Sequence, residues 1–361
     1  MDFGLSDDQR LFQDALRGYL AERAPIASVR TVMESASGYD PALVRGLAEQ
    51  GATGILLGHD HGGSALGLLD AAITAEELGR AATPFSFHSA AVMAPLALAL
   101  AGSDAQRQRW LPEIASGAVV LSYVPAAPAV EADTLDGGVA FVPDAHIADA
   151  FVVAAGSGAT TELLLVPRDT PGLRFEALET VDATRRVGEL IFDHVGVTEA
   201  MRMPAATAAA TTERVLDAGR IVLAADALGA SERALELAVA YALTRQQFGR
   251  TIGSFQAVKH MCAETVAEVE PVRSLLWYAA FAWDEQRPDA PLMAALLKSH
   301  ATEVATRALT TCVQVFGGMG FTYECDMHIW FKRAGYDRQM LGGPSELRRC
   351  AAALQFDAPT A

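Results

Sequence analysis

From Ser6 onward the apolar residues fall at helical spacing. Phe12, Leu16 and Leu20 recur every four positions along one face, and Ser6 with Gln9 three residues later forms a capping box ahead of them. The habit continues through residues 5–115, punctuated by Gly62-Gly63 and Pro84. The run from Ser89 to Ala101 carries no charge, which predicts a buried helix. Near Gly117 the period changes. Short β-type runs, Val119 to Val124, Gly138 to Val142, Phe151 to Ala154 and Leu163 to Val166, alternate with Gly, Pro, Asp and Ser, and the last clear one spans Gly188 to Phe192. Alanine-rich helical spacing returns from Thr207 to Leu243. It resumes over His260 to Glu285 and Leu292 to Phe316, with Gly317-Gly318 and Gly342-Gly343 as the main breaks. The pattern predicts an α+β multi-domain chain: an N-terminal α domain over 1–116, a middle β domain over 117–203 and a C-terminal α domain over 204–361.

Composition supports several cores rather than one. The chain has 361 residues, beyond the ~250–300 at which single cores stop growing. Hydrophobic residues make up 51% and charged residues 20%, enough apolar surface to offset the entropy of ordering. The formal charge of -16, from 44 acidic and 28 basic residues, repels a phosphate backbone, and no basic cluster counters it, so nucleic acid is excluded as a partner. Four cysteines (Cys262, Cys312, Cys325, Cys350) without a CxxC pair predict reduced thiols in a cytoplasmic setting. The opening Met-Asp-Phe-Gly-Leu-Ser-Asp-Asp has neither a basic nor an apolar leader region, so no secretory signal is expected. No run approaches the ~18 apolar residues of a membrane span.

The chemistry concentrates in a few segments. Arg245, at the end of a helical pattern, offers a planar cationic fork suited to a pyrophosphate, and Phe248 adds a flat apolar surface. Gln314 carries a donor and an acceptor, and Gly317-Gly318 lets a ligand approach the backbone. Taken singly, Arg245 reads equally as a charge complementing a helix C-terminus, and the glycine pair as a helix stop. The stretch from Tyr241 to Arg250, Tyr-Ala-Leu-Thr-Arg-Gln-Gln-Phe-Gly-Arg, followed by Ile252-Gly253-Ser254-Phe255-Gln256, closely resembles the R-x-x-F-G signature of acyl-CoA dehydrogenases. Glu76-Glu77-Leu78-Gly79-Arg80, Phe192-Asp193-His194-Val195 and Gln314 to Phe321 resemble the same family, so the resemblance spans the whole chain.

That resemblance implies an N-terminal helical domain, a middle antiparallel β-domain and a C-terminal four-helix bundle. It implies FAD as cofactor, an acyl-CoA thioester as substrate, dehydrogenation of a CH–CH bond, and an oligomer in which Arg245, Phe248, Gln314, Gly317 and Gly318 reach the FAD of a neighbouring subunit. Two strand segments resemble those that the family sets against the flavin: Tyr123-Val124-Pro125, and Phe141-Val142-Pro143-Asp144. In the second, Pro143 stands where a hydroxyl and an N–H are usual, so a hydrogen bond to the flavin is lost. The family's glycine-rich loop is replaced by Ala126-Ala127-Pro128-Ala129.

Abstraction of the proton beside the thioester carbonyl needs a carboxylate within hydrogen-bond reach. In the family it sits in an E-G-T motif or on the helix before R-x-x-F-G. Here the two positions hold Gly342 and Gly219, so the catalytic base is unassigned. Asp217 lies on nearly the opposite helix face from Gly219. Glu346 follows Gly342 by four residues, where the family often carries Glu or Gln without using it. Arg220 survives, as a substrate-side residue or a salt bridge in the helical core. Leu341-Gly342-Gly343-Pro344-Ser345 resembles a branch in which two homologous subunits form a two-plus-two heterotetramer, one bringing the glutamate and the other part of the flavin site; such pairs act in bacterial steroid side-chain degradation.

His59 and His61 lack a third ligand, so no metal is expected. Ser64 makes no G-x-S-x-G elbow, and no G-x-G-x-x-G follows an opening strand. Three functions stay open: a subunit completing the FAD site of a partner that carries the glutamate, a self-sufficient dehydrogenase with an unrecognised base, and a non-catalytic scaffold or thioester-binding protein.

Overall fold

The computed structural model describes residues 4–356 except Ala205 and Thr207. The chain divides into two compact units. One comprises the described residues of Met1–Arg30, Ala72–Thr83 and Arg220–Ala361; the other comprises Thr31–Ala71 and the described residues of Pro84–Gly219.

The first unit is helical. It contains α1 (Asp7–Arg23), most of α4 (Leu68–Arg80), the larger part of α7 (Ala208–Thr244), α8 (Gln256–Asp284), α9 (Ala290–Phe316), α10 (Met327–Gln339) and α11 (Pro344–Phe356). The capping box holds: Ser6 Oγ accepts from the N–H of Gln9, and the Gln9 side chain accepts from the N–H of Ser6. Leu16 and Leu20 are buried on the face that the period predicted. The helix predicted from Thr207 runs from Ala208, and Thr207 itself lies outside the described residues.

Helices α4 and α7 cross at a pair of glycines. A Cβ on Gly79 would meet the Asp226 carbonyl oxygen at 2.1 Å, and one on Gly229 would meet that of Glu76 at 1.9 Å, so only glycine permits this approach. Around the crossing, buried and half-buried ion pairs tie the helices together. Arg333 on α10 grips Asp226 with two bonds of 2.8 Å and donates to the Thr83 carbonyl at 2.9 Å. Arg273 on α8 bridges Glu76 and Glu232. Arg17 on α1 holds Glu77 at 2.9 and 2.6 Å. Such pairs add directional specificity where apolar packing alone would allow the helices to slip.

The second unit carries α3 (Pro41–Glu49), a π-helical turn at His88–Met93, α5 (Ala94–Ala101), α6 (Asp104–Ala115) and six strands, while α2 (Ile26–Glu34) crosses into it from the first. The uncharged run predicted as a buried helix is the π-helical turn plus α5, buried along most of its length. Strands β1 (Leu121–Ala127), β3 (Ala150–Ala155) and β4 (Glu162–Pro167) form one sheet in the order β1-β3-β4; β2 (Thr134–Pro143), β6 (Val187–Gly196) and β5 (Leu173–Leu178) form another in the order β2-β6-β5. All pairings are antiparallel except β1 with β3, which run parallel. Their facing residues, among them Val124, Phe151, Leu164, Leu190 and Phe192, form one core. Strand β5 was not among the predicted runs: Leu173, Arg174, Phe175 and Glu176 alternate apolar with charged, so it lacks the continuous apolar run that marks the other strands, and it is half-exposed.

Candidate functional site

In the first unit, α7 ends at Thr244 and the chain makes a hairpin of two-residue strands, β7 (Gln246–Gln247) and β8 (Arg250–Thr251). Its loop is Phe248-Gly249, at φ 53 and 75. Positive φ at both central residues is what a tight two-residue hairpin demands. Glycine adopts it freely, but a phenylalanine there is strained, and Phe248 is also 92% exposed. Arg250 stacks its guanidinium over the Phe255 ring, 4.1 Å from its centroid, and stiffens the hairpin's base.

Arg245 opens this hairpin. Its N–H donates to the Tyr241 carbonyl and its carbonyl accepts from Ile252, both at 2.8 Å, so its backbone is fixed on both sides. Its side chain is exposed and makes no hydrogen bond or ion pair among the described residues. The ring of Tyr241, one helical turn earlier, stacks on Phe316 at the end of α9, with centroids 4.4 Å apart and planes 16° from parallel. Gln314 is two residues before Phe316 and exposed; Gly317 and Gly318 follow it. The stack therefore brings the Arg245 and Gln314 segments to one end of the bundle. Gly317 needs its glycine for φ 62. Gly318 does not: a Cβ there would meet nothing within 4 Å, so nothing among the described residues demands the absence of a side chain.

At the other candidate position, the Leu341-Gly342-Gly343 turn joins α10 to α11, with Leu341 at φ 57 and Gly342 at φ 103. Arg220 Nε donates to the Leu341 carbonyl at 3.3 Å. The Glu346 carboxyl carbon lies 3.7 Å from where a Cβ on Gly342 would stand.

In the second unit Tyr123 and Val124 are 1% and 0% exposed. The Tyr123 N–H donates to Ser89 Oγ at 2.9 Å, which ties β1 to the π-helical turn, and Ser122 Oγ donates to the Pro143 carbonyl, which ties β1 to the end of β2. Burial raises the Tyr123 pKa. The side chains of these two residues belong to the core. Phe141 differs: it sits in the irregular stretch of β2 between Val139 and Val142, at φ 61, and is 57% exposed. Gly219 is buried within α7. Phe141 and Phe248 thus share one signature, an exposed aromatic ring on left-handed backbone.

Sequence reasoning passed over other clusters. Asp136, Asp193 and His194 place one ligand atom each within 4.8 Å of one another, all exposed. The hydrogen bond between Asp136 and His194 raises the pKa of the histidine and lowers that of the aspartate. His59 Nδ1 donates to the Gly63 carbonyl at 2.9 Å, and His61 lies beside Asp60. A groove of about 860 Å³ in this unit, lined by Gln106, Arg109, Trp110 and Arg168 among others, contains none of the predicted site residues. Asp144 is buried and accepts from the Ser86 N–H at 3.0 Å; burial raises its pKa. All four cysteines are free thiols, and no described helix is long and apolar enough to cross a membrane.

The exposed residues fit the tail of a dinucleotide: an unpaired guanidinium, an amide, and backbone open at Gly317-Gly318. Residues 6–118 match the family model described as acyl-CoA dehydrogenase, N-terminal domain, and residues 208–354 match acyl-CoA dehydrogenase, C-terminal domain. The acyl-CoA dehydrogenase IpdE2 of Mycobacterium tuberculosis is 34% identical over 356 residues, covering 98% of this chain and 99% of that one. Among solved structures, the ChsE4-ChsE5 complex from Mycobacterium tuberculosis is similar with a TM-score of 0.91 at 27% identity, covering 100% of both chains. The steroid acyl-CoA dehydrogenase Tcur3481-Tcur3483 is similar with a TM-score of 0.89 at 29% identity, covering 98% of this chain and 99% of that one.

Proposed function

The chain belongs to the acyl-CoA dehydrogenase family of FAD-dependent oxidoreductases acting on CH–CH bonds, and from that premise we propose that it completes the FAD site of a homologous partner subunit which carries the catalytic glutamate. The observation that carries this reading is the state of Arg245 and Gln314. Both are fixed by well-made backbone and both leave their polar ends exposed. A side chain carried on backbone fixed so firmly, yet without an ion-pair partner among the described residues, fits a ligand held mainly by another polypeptide. Phe248, strained and bare at the hairpin tip, supports the same reading.

FAD supplies the hydride acceptor of this chemistry. Arg245 would face its pyrophosphate, Gln314 its polar edge and Gly317-Gly318 its close approach; Phe141 is the β-domain residue available to a ring system. Tyr123 and Val124 contribute by supporting β1 from within. A bulky CoA thioester of the steroid side-chain class is the proposed substrate, supported by the Leu341-Gly342-Gly343-Pro344-Ser345 segment and by the likeness to Tcur3481-Tcur3483 and the ChsE4-ChsE5 complex. The division at 1–116, 117–203 and 204–361 and a cytoplasmic setting belong to the same proposal; the free thiols support the latter.

Co-expression with a homologous glutamate-bearing subunit tests it. The pair should be yellow and should oxidise the acyl-CoA, the lone chain should be colourless and inactive, and Arg245→Ala should strip flavin from the pair. Turnover by the pure chain alone would reject the reading. One observation favours a self-sufficient enzyme instead: the Glu346 carboxyl beside Gly342. In that case the lone chain bleaches bound flavin with an acyl-CoA, and Glu346→Gln abolishes the bleaching.

A further inference from the structure

We propose that Arg30 is a positioning residue for the cofactor: by gripping Tyr323 and Asp326 it fixes the Gly317–Phe321 turn, whose backbone the functional reading sets against FAD. The inference rests on that reading only in naming the ligand of the turn.

The turn has little of its own to hold it. Gly317 takes φ 62, and a Cβ on either Gly317 or Gly318 would meet nothing within 4 Å. Met319 and Phe321 are 42% and 81% exposed, so their side chains add little packing. Glycine backbone with open space around it is free to take other conformations, and having to order it on a ligand weakens binding. Gly320 is the exception: a Cβ there would meet the Val313 carbonyl oxygen at 2.7 Å, so the middle of the turn is seated on α9. The far end, where the chain leaves for α10, needs a second hold.

Arg30, on α2 and in the first unit, supplies it. Its Nε donates to Asp326 Oδ1 at 2.6 Å and its Nη2 donates to the Tyr323 carbonyl at 2.7 Å, so one planar fork spans the step from Tyr323 to Asp326. The guanidinium carbon lies 4.9 Å from the centroid of the Tyr323 ring. The same ring stacks with His328, centroids 4.9 Å apart and planes 19° from parallel. Asp326 stands at the start of α10 without a side-chain bond to that helix, which leaves its carboxylate to Arg30. A charge-assisted fork of this geometry exceeds an ordinary surface ion pair in strength and in direction. Thr322 carries the hold back into the turn: its N–H and its Oγ1 donate to the Met319 carbonyl at 3.0 and 2.9 Å.

Hydrogen exchange of the full lone chain tests the hold without cofactor or substrate. Arg30→Gln should raise exchange several-fold over residues 317–325 and leave it level over 295–312 in α9, with the urea midpoint close to native. Arg30→Lys should not restore protection, because an ammonium is a point charge without a planar fork. In the co-expressed pair, the FAD concentration for half-maximal oxidation of octanoyl-CoA should rise several-fold in Arg30→Gln, with little change in the maximal rate. Should Arg30→Gln fail to fold, Asp326→Ala carries the same expectations. Native exchange over 317–325 in Arg30→Gln, an equal rise along α9, or full restoration by Arg30→Lys overturns the proposal. A native pair that takes up no FAD, with the exchange result intact, rejects the functional reading and leaves the hold of Arg30 on the turn standing. A native pair that binds FAD, with exchange unmoved in Arg30→Gln, rejects the role of Arg30 alone.

Discussion

Arginines in the same helical unit have opposite fates. Arg333 and Arg273 are enclosed at the α4–α7 crossing, each engaged by carboxylates at hydrogen-bond distance, and Arg333 is 0% exposed. Arg245 has equally well-fixed backbone, yet its side chain stands in solvent. The first group tells how the helices are registered, because a buried guanidinium is tolerated only where its partners are complete. Arg245 tells about something beyond the chain, since the fold holds it in place and does not use its charge. Full pairing inside and none at the bundle's end distinguish a scaffold from a binding face more clearly than residue type does.

Substitutions sharpen this contrast in order of size. Arg333→Ala strands Asp226 as a buried uncompensated charge and should lower stability by roughly 3–5 kcal/mol, read from urea denaturation. Glu76→Gln acts through pH. Burial pushes the Glu76 pKa up to about 7, with Arg273 opposing and Glu232 and Glu77 adding to the rise. A raised acid binds its proton more tightly when folded, so its stabilising contribution is full below the unfolded value of 4.5 and is lost as pH climbs through about 7. The native urea midpoint should therefore fall between pH 5 and 7.5 by a free energy on the order of 2–3 kcal/mol, and Glu76→Gln should flatten that slope. Tyr241→Leu removes the stack on Phe316 and should cost about 1 kcal/mol, while lowering flavin retention by the co-expressed pair; Tyr241→Phe should restore both. Arg245→Ala should leave the melting transition within about 0.5 kcal/mol of native, and a larger loss would place Arg245 with the structural arginines.

Much of this architecture is legible along the chain. The change from four-residue spacing to short β-branched runs near Gly117 locates the strands, and the return of alanine-rich spacing locates α7, because both periods follow from backbone geometry. Burial of charge is what periodicity hides. Lys298 stands four residues after Ala294 and seven before Ala305, on a face that is buried throughout, and only the charge of its side chain speaks against the core. Tyr123 and Val124 read from sequence as cofactor neighbours, yet β1 is covered over Leu121 to Val124, so their side chains pack inward. Phe141 and Phe248 differ: the sequence reads both as cofactor-side residues, and both rings are exposed, on positive-φ backbone that no residue pattern reveals. The approach of Glu346 to Gly342 depends on how α11 leaves its turn and is equally silent in the sequence.

The hairpin at Gln246–Thr251 has a practical consequence for handling the protein. A benzyl group kept almost wholly in water forgoes about 2 kcal/mol that contact with any oily surface would return. A solitary copy of this polypeptide is therefore adhesive here, as at the exposed Phe321 and Phe356, and Phe248 should add to its adsorption on hydrophobic resins until a companion shields the ring.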